Sequence, residues 1–364
     1  MYSVLREVGQ KFHISGELYS YDTITVGNIN STYKVTYLRD DKTLKPYLFQ
    51  RVNTHVFKNP VAIMENIDRV TTHIRKKNPN RISLHFHHTA DGANYYIADE
   101  SSFWRVVNYV ESVTLNSSDD LAVIAYTGKA FGDFQNQLAD FDGSVLHETI
   151  PDFHNTKKRL DTLFANIEKD PCNRVRELTP EIEYLTSVRE KACELSVRFS
   201  RGEIPKRVTH NDTKANNVLF DKLTKEPLVV IDLDTIMPGM SMYDFGDAVR
   251  FIANTAAEDE PEVRKVFFDT GKFRAFAKGF LSETKNSLTE DEINNLVLAS
   301  FSITIELASR FLDDYITGDK YFRCTYPKHN LVRARCQIQL ARDIEKKWQE
   351  LEWIIADVLE QLGK

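Results

Sequence analysis

The chain has 364 residues, 42% hydrophobic and 27% charged, an ordinary globular composition with enough apolar material for one large or two medium domains. Lys and Arg total 47 against 53 Asp and Glu, for a formal charge of -6 and a pI near 6.0, so no overall positive field gathers nucleic acid or a membrane surface. Cys172, Cys193, Cys324 and Cys336 form no C-x-x-C pair, no basic stretch leads into an apolar one at the start, and no run of about 18 apolar residues occurs, so free thiols and a cytoplasmic location are expected; a monomer is expected as well, although nothing in the sequence sets the oligomeric state.

In chain order, residues 21–53 alternate in β fashion, as in Tyr33-Lys34-Val35-Thr36-Tyr37 and Tyr47-Leu48-Phe49-Gln50-Arg51-Val52. Breaks at Gly27-Asn28 and Asp40-Asp41-Lys42 divide them into at least three antiparallel strands. A helix is predicted after Asn59-Pro60, because Val61, Met64, Ile67, Val70 and Ile74 recur at three- and four-residue spacing. Strand patterns resume at 82–87, 95–98 and 104–107.

Beyond Val110 the texture turns helical, with apolar stripes over 121–141, 180–199, 262–281, 290–315 and 334–362. One strand-rich patch interrupts them, at 207–210, 217–220 and 228–233, and its last two members read as a hairpin across residues 221–227. The expected fold class is α+β with two lobes: a β-rich lobe over 1–108, a mainly helical lobe over 109–364, and a cleft between them.

The densest polar run is Thr209-His210-Asn211-Asp212-Thr213-Lys214-Ala215-Asn216-Asn217, followed by Ile231-Asp232-Leu233-Asp234. Phosphoryl transfer from ATP needs a carboxylate beside the attacking hydroxyl and oxygen ligands for Mg²⁺, since the reaction is driven by positioning and charge neutralisation. H-x-D-x-x-x-x-N plus a later strand ending in Asp meets those needs, with Asn217 and Asp232 as the hard oxygen ligands. A single Asp or Asn in such a place commonly caps a turn, and it is the joint spacing that points to chemistry. By themselves these residues imply a small-molecule kinase.

The same residues resemble the catalytic loop and metal-binding strand of the aminoglycoside phosphotransferase and choline kinase group, which has the protein-kinase-like fold. Longer stretches are similar to the bacterial N-acetylhexosamine 1-kinases within it. They are the run from Arg207 to Asn217, Ile231 to Gly239, Asp244-Phe245-Gly246-Asp247-Ala248-Val249-Arg250, Ala130 to Asn136, Arg310-Phe311-Leu312-x-Asp314-Tyr315-x-x-Gly318-Asp319-x-Tyr321, and Tyr326 to Arg333. The resemblance spans nearly the whole chain. It implies transfer from ATP to the anomeric hydroxyl of N-acetylglucosamine or N-acetylgalactosamine, giving the sugar 1-phosphate and ADP.

On this resemblance Asp212 is the catalytic base, and a hemiacetal hydroxyl is acidic enough for a carboxylate to assist it. Lys214 either neutralises the transferring phosphoryl group or lies in solvent. The turn Gly27-Asn28-Ile29-Asn30-Ser31-Thr32 falls where a kinase folds its phosphate-covering hairpin. Gln50 stands where this fold usually places a strand lysine, so either it contributes only a hydrogen bond or Arg51 or Lys34 supplies the charge, and Glu65 on the following helix has no assured cationic partner. Asn108-Tyr109-Val110 is the expected hinge against the adenine edge. Arg310 and Tyr321, with His154, are implied to bind the sugar, an Arg fork suiting hydroxyls and an N-acetyl carbonyl and Tyr a pyranose face. Asp244 is expected to brace the catalytic loop.

Two rival readings follow from the same residues. One is a kinase for another small alcohol, such as choline, an amino alcohol or an aminoglycoside, whose cationic substrate would favour acidic and aromatic residues in the helical lobe. The other is an inactive pseudokinase-like nucleotide-binding module, which Gln50 raises and the joint presence of Asp212, Asn217 and Asp232 opposes.

Overall fold

The alternation of the first fifty residues folds into an antiparallel sheet. In the computed structural model, which describes residues 1–25, 29–99, 102–115 and 119–363, helix α1 (Tyr2–Lys11) precedes strands β1 (Glu17–Ile24), β2 (Ser31–Leu38) and β3 (Leu44–Val52). Helix α2 (Pro60–Lys77), β4 (Tyr96–Ile97) and β5 (Phe103–Asn108) follow, and the strand order is β1-β2-β3-β5-β4. Period two then sorts the side chains. Leu5 and Val8 of α1 and Phe12 just beyond it share a core with Val35, Tyr47, Phe49, Trp104 and Val106, while Gln50 and Arg105 fall on the opposite face. Arg105 there approaches Met64 of α2 and the Phe86 ring.

Helix α2 starts where Asn59 accepts the amide of Ala62 and Pro60 takes the first position, as its sequence predicts. The strand expected over 82–87 is reduced to a bridge from Phe86 to Val107 and bonds between 85–87 and the end of β5. The Asn108 side chain accepts the His85 amide at 2.6 Å, replacing part of the ladder.

By contact the chain divides into two units, 1–113 with 231–236, and 114–230 with 237–364. The second contains α3 (Leu121–Gln137), α4 (Thr156–Lys169), α5 (Thr179–Ser200), β6 (Arg207–Thr209), β7 (Val218–Phe220), β8 (Pro227–Val230) and β9 (Met237–Gly239). It continues with α6 (Ser241–Ile252), α7 (Thr270–Thr284), α8 (Glu290–Asn294), α9 (Leu296–Thr317), α10 (His329–Lys346) and α11 (Trp348–Gln361). Strands β7 and β8 form the expected hairpin, and β6 pairs with β9. Helix α9 is buried over most of its circumference and forms the core of this unit.

Several helix ends differ from the apolar pattern. The stripe over 290–315 breaks at Asn295, after α8 has been started by the reciprocal Thr289–Glu292 capping box. The stripe over 334–362 starts earlier, at His329, and breaks at Lys347, whose ammonium binds the Phe268 carbonyl at 2.7 Å. The helix expected over 262–281 begins only at Thr270, where the Asp269 side chain accepts the Lys272 amide. Helices α1, α4 and α6 lie outside the predicted stripes. Among the described residues no helix is long and apolar enough to cross a membrane.

Helices α3 and α7 meet backbone to backbone through glycines. A Cβ on Gly279 would stand 1.9 Å from the Ala125 carbonyl oxygen, and one on Gly128 2.2 Å from that of Phe276. Neither backbone can yield without separating the helices. Gly279→Ala is therefore expected to destabilise the protein by about 1–3 kcal/mol, the usual cost of overpacking, and a thermal melt identical to wild type would refute this account of the contact.

Candidate functional site

The loop from His210 to Asn217 joins β6 to β7 and is held by one face of α6. The carboxylate of Asp244, in the first turn of that helix, accepts the amides of His210 and Asn211 at 2.8 Å each and the Gln135 side-chain amide at 2.5 Å. Burial pushes the Asp244 carboxyl up, against the opposing pull of His210 and the two amides. Asp247, three residues on and so on the same helix face, accepts the Thr213 amide at 3.2 Å and pairs with Arg250 at 2.9 Å. Burial raises Asp247, but Arg250 and then His154 outweigh it and hold the carboxyl at about 2. Asn211 takes a left-handed conformation, φ 64°, which the two amides fixed by Asp244 stabilise.

Asp212 emerges from this clamp with its side chain 28% exposed. Lys214 Nζ lies 2.6 Å from one carboxylate oxygen, and Asn217 Nδ2 donates to the other at 3.1 Å and to the Asp212 carbonyl at 2.8 Å. Burial depresses the Lys214 ammonium, but Asp212 outweighs it and the ammonium stays above its ordinary range. Both side-chain hydrogen bonds of Asn217 use Nδ2, which leaves Oδ1 as its oxygen for a cation. The His210 ring lies edge-on to Phe131 and Phe134, and the Asp212 amide donates to its Nδ1 at 3.3 Å.

In the same unit Arg310 projects from α9 into a pocket of about 230 Å³ that Arg159, Asp313, Lys320, Tyr321 and Phe322 also line. Its guanidinium carbon is 5.4, 5.9 and 5.6 Å from the ring centres of Phe153, Tyr321 and Phe322. Among the described residues it makes no hydrogen bond or ion pair. Asp314 shapes the pocket's turn, its carboxylate accepting the amides of Lys320, Tyr321 and Phe322 and the Asn330 side chain at 2.8 Å each. His154 is committed within the protein. Its Nδ1 lies 2.9 Å from Glu306 and its Nε2 3.3 Å from the Asn211 carbonyl, and since both partners are acceptors, both ring nitrogens donate.

The first unit holds a second cluster. Asp232 follows β8 in a left-handed conformation, φ 60° and ψ 58°, and leads into a 3₁₀ turn over Leu233–Thr235. Asp234 is paired with the Arg105 fork and accepts Asn30 Nδ2 at 2.7 Å. Gln50 accepts Arg105 Nε at 3.0 Å and donates to Thr32 Oγ1 at 3.2 Å. Ser31 opens β2 opposite Arg51. Gly27 and Asn28 lie outside the described residues. Lys34 sits 4.3 Å from the Tyr109 ring centre and 3.6 Å from Glu111, and Arg51 is exposed. Glu65 pairs on the surface with Arg69 at 3.6 Å. Asn108 spends its side chain on His85 and Ser83, and the Val110 carbonyl accepts Ser112 Oγ.

Sequence reasoning missed Arg105, Glu306 and Arg159. The first two carried a signal, a lone charge at an inward position of an apolar strand or helix, as in Phe103-Trp104-Arg105-Val106-Val107 and Ile303-Thr304-Ile305-Glu306-Leu307. Arg159 carried none, since a basic residue in Lys157-Lys158-Arg159 reads as a solvated face.

Burial pushes the His154 imidazole down, but Glu306 and then Asp247 outweigh it and the opposing Arg310, so its pKa lies above the ordinary 6.5. A raised histidine contributes stability that is fully present below the unfolded value and is lost as pH rises through the folded one. The melting temperature is thus expected to fall more steeply above pH 6.5 in the wild type than in His154→Gln, and parallel melting profiles would remove the charged imidazole from this role.

A family model described as the phosphotransferase enzyme family (APH) matches residues 21–277, more than half of the chain. Among solved structures, an aminoglycoside phosphotransferase from Alicyclobacillus acidocaldarius superposes with a TM-score of 0.57 at 13% identity, over 98% of this chain and 95% of its own. A choline kinase from Cryptosporidium parvum gives 0.53 at 15% identity, over 100% and 99%. A spectinomycin phosphotransferase in complex with ADP and spectinomycin gives 0.56 at 10% identity, over 94% and 98%. At these identities the structures share the fold, which is the protein-kinase-like fold with an antiparallel-sheet lobe and a helical lobe. By its family match, its fold and its H-x-D-x-x-x-x-N loop, the chain belongs to the phosphotransferase enzyme family.

Proposed function

We propose that the chain is an ATP-dependent anomeric kinase that phosphorylates N-acetylglucosamine or N-acetylgalactosamine at O1, releasing ADP. The observation that carries this reading is the Arg310 pocket. Its fork of donors is unspent among the described residues and three aromatic rings border it, which suits a neutral ring bearing hydroxyl and carbonyl acceptors. Arg159, Arg310 and Lys320 make the lining cationic. Asp314 is consumed by backbone amides and Asp313 is engaged by Asn166 at 2.7 Å. With three cations against the two carboxylates of Asp313 and Asp314, the lining is net positive, which disfavours a choline, amino alcohol or aminoglycoside cation.

In this reading Asp212 accepts the proton of the attacking sugar hydroxyl, and its exposure leaves it reachable by a substrate. Lys214 holds the carboxylate in place and supplies positive charge beside the transferring group. Ser31 and Thr32 at the start of β2 would face the nucleotide phosphates, while the side chains of Asn30 and Gln50 are committed to Asp234, Asn53, Thr32 and Arg105, and Asn108, Tyr109 and Val110 would face the adenine. The solved relative with bound ADP supports a nucleotide in that role.

The donor chemistry fits a magnesium ion. Asn217 offers an amide oxygen because its nitrogen is committed to Asp212, and Asp232 offers a carboxylate. Both are hard oxygen ligands of the kind Mg²⁺ takes alongside phosphates and water. When bound, the ion neutralises phosphate charge during transfer.

An ADP-release assay over N-acetylglucosamine, N-acetylgalactosamine, glucose and choline is expected to show turnover with the N-acetyl sugars and none with choline, and the reverse order would overturn the substrate. Asp212→Asn should lower kcat by about 10²-fold or more, the usual worth of general-base assistance, and near-normal turnover would remove it as the base. Arg310→Ala should raise the sugar KM by about ten- to a hundredfold, for loss of a charged hydrogen bond, with Tyr321→Phe following more weakly and the KM for ATP unchanged in both. A defect confined to ATP would put the sugar elsewhere.

A further inference from the structure

Thr32, Gln50 and Arg105 are directly opposed across β2, β3 and β5, and hydrogen bonds join their side chains into one rung. The rung ends on Asp234, which the Arg105 fork engages through both carboxylate oxygens and to which Asn30 donates. Asn30 in turn accepts the Asn53 amide at 3.0 Å, and Asn66 of α2 donates to the Ile236 carbonyl at 3.0 Å. These bonds account for the membership of residues 231–236 in the first unit.

The Arg105 and Asp234 side chains are each 2% exposed, so the guanidinium is spent on Asp234 and is not presented to a ligand. Asp232, two residues before Asp234, keeps a left-handed backbone that costs of order 1 kcal/mol and persists only where its surroundings over-determine it. From this geometry we infer that Arg105 is a positioning residue: paired with Asp234, it fixes the turn that presents Asp232. It thereby takes the place of the strand lysine that kinases of this fold pair with a helix glutamate, while Glu65 here faces the surface beside Arg69. Gln50 is the neutral link that orients the guanidinium. The functional half of this inference rests on the reading of Asp232 as a metal ligand.

Two measurements test it, both on the full chain. Hydrogen exchange over residues 231–236 reads the positioning directly, and the Mg²⁺ concentration for half-maximal velocity reads its consequence. Arg105→Met should speed exchange in that segment about tenfold or more, leave exchange in α9 unchanged, and raise the half-activating Mg²⁺ by about 10–100-fold, the usual effect of losing an outer-shell partner. Arg105→Lys, which keeps the charge but loses the fork, should fall between. Because Arg105→Met strands a buried carboxylate and risks unfolding, the paired variant Arg105→Met/Asp234→Leu removes both charges. It should melt near the wild type yet keep the Mg²⁺ defect.

Unchanged exchange over 231–236 would overturn the inference. So would a folded paired variant with normal Mg²⁺ activation while Asp232→Ala abolishes activity. If Asp232→Ala instead leaves the Mg²⁺ dependence intact, the metal reading fails, and the exchange result alone decides whether Arg105 positions the turn.

Discussion

The helical unit is organised around one buried carboxylate. Asp244 holds two consecutive amides of the loop that carries Asp212, and each such charge-assisted bond is worth about 1.5–3 kcal/mol because both partners are out of water. Its position in the first turn of α6 adds the favourable end of the helix dipole. Asp247 lies on the same face and takes the Thr213 amide, so a rigid helix fixes the loop at His210–Asn211 and again at Thr213. Side chains borne on a braced loop keep their geometry without a ligand, which is what positioning chemistry requires.

Helix α9 extends the same logic towards the pocket. Three polar positions along it serve three tasks. Glu306 holds His154 and, through Thr156, the start of α4; Arg310 projects among the rings; Asp314 cages the turn that carries Tyr321. The first and second of these are four residues apart and so stand on one face. A pocket residue and a support of the loop that carries Asp212 are thus set by the rise and rotation of a single helix. His154 passes this order on to the loop through the Asn211 carbonyl.

In the sheet-bearing unit the missing strand lysine has a structural answer. The sequence offers Arg51 and Lys34 as replacements, but one is exposed and the other lies against Tyr109 and Glu111. The buried cation beside Gln50 comes from the neighbouring strand, 55 positions away in the chain. A buried ion pair contributes little net stability, since desolvation offsets attraction, but it strongly favours the one arrangement in which both charges are matched. That property suits a turn whose backbone must hold an unfavourable conformation.

The sequence by itself determined the features that depend on near neighbours. Alternation over 21–53 and the Asn59-Pro60 cap produced the first sheet and α2, because periodicity and capping act within a few residues. The spacing from His210 to Asn217 and on to Asp232 marked the loop and the strand end before any fold was known. Asp244 was legible as a brace because Asp232 already fills the strand end that follows the loop, leaving the later Asp-Phe-Gly run without that place. What only the tertiary structure decided depends on contacts between distant segments. The break at Lys347 interrupts an unbroken apolar stripe, since Lys347 is drawn to the Phe268 carbonyl. The placing of residues 231–236 with the first unit, and of Arg105 against Asp234 and Gln50, follows from strand pairing and side-chain burial, which local sequence does not encode.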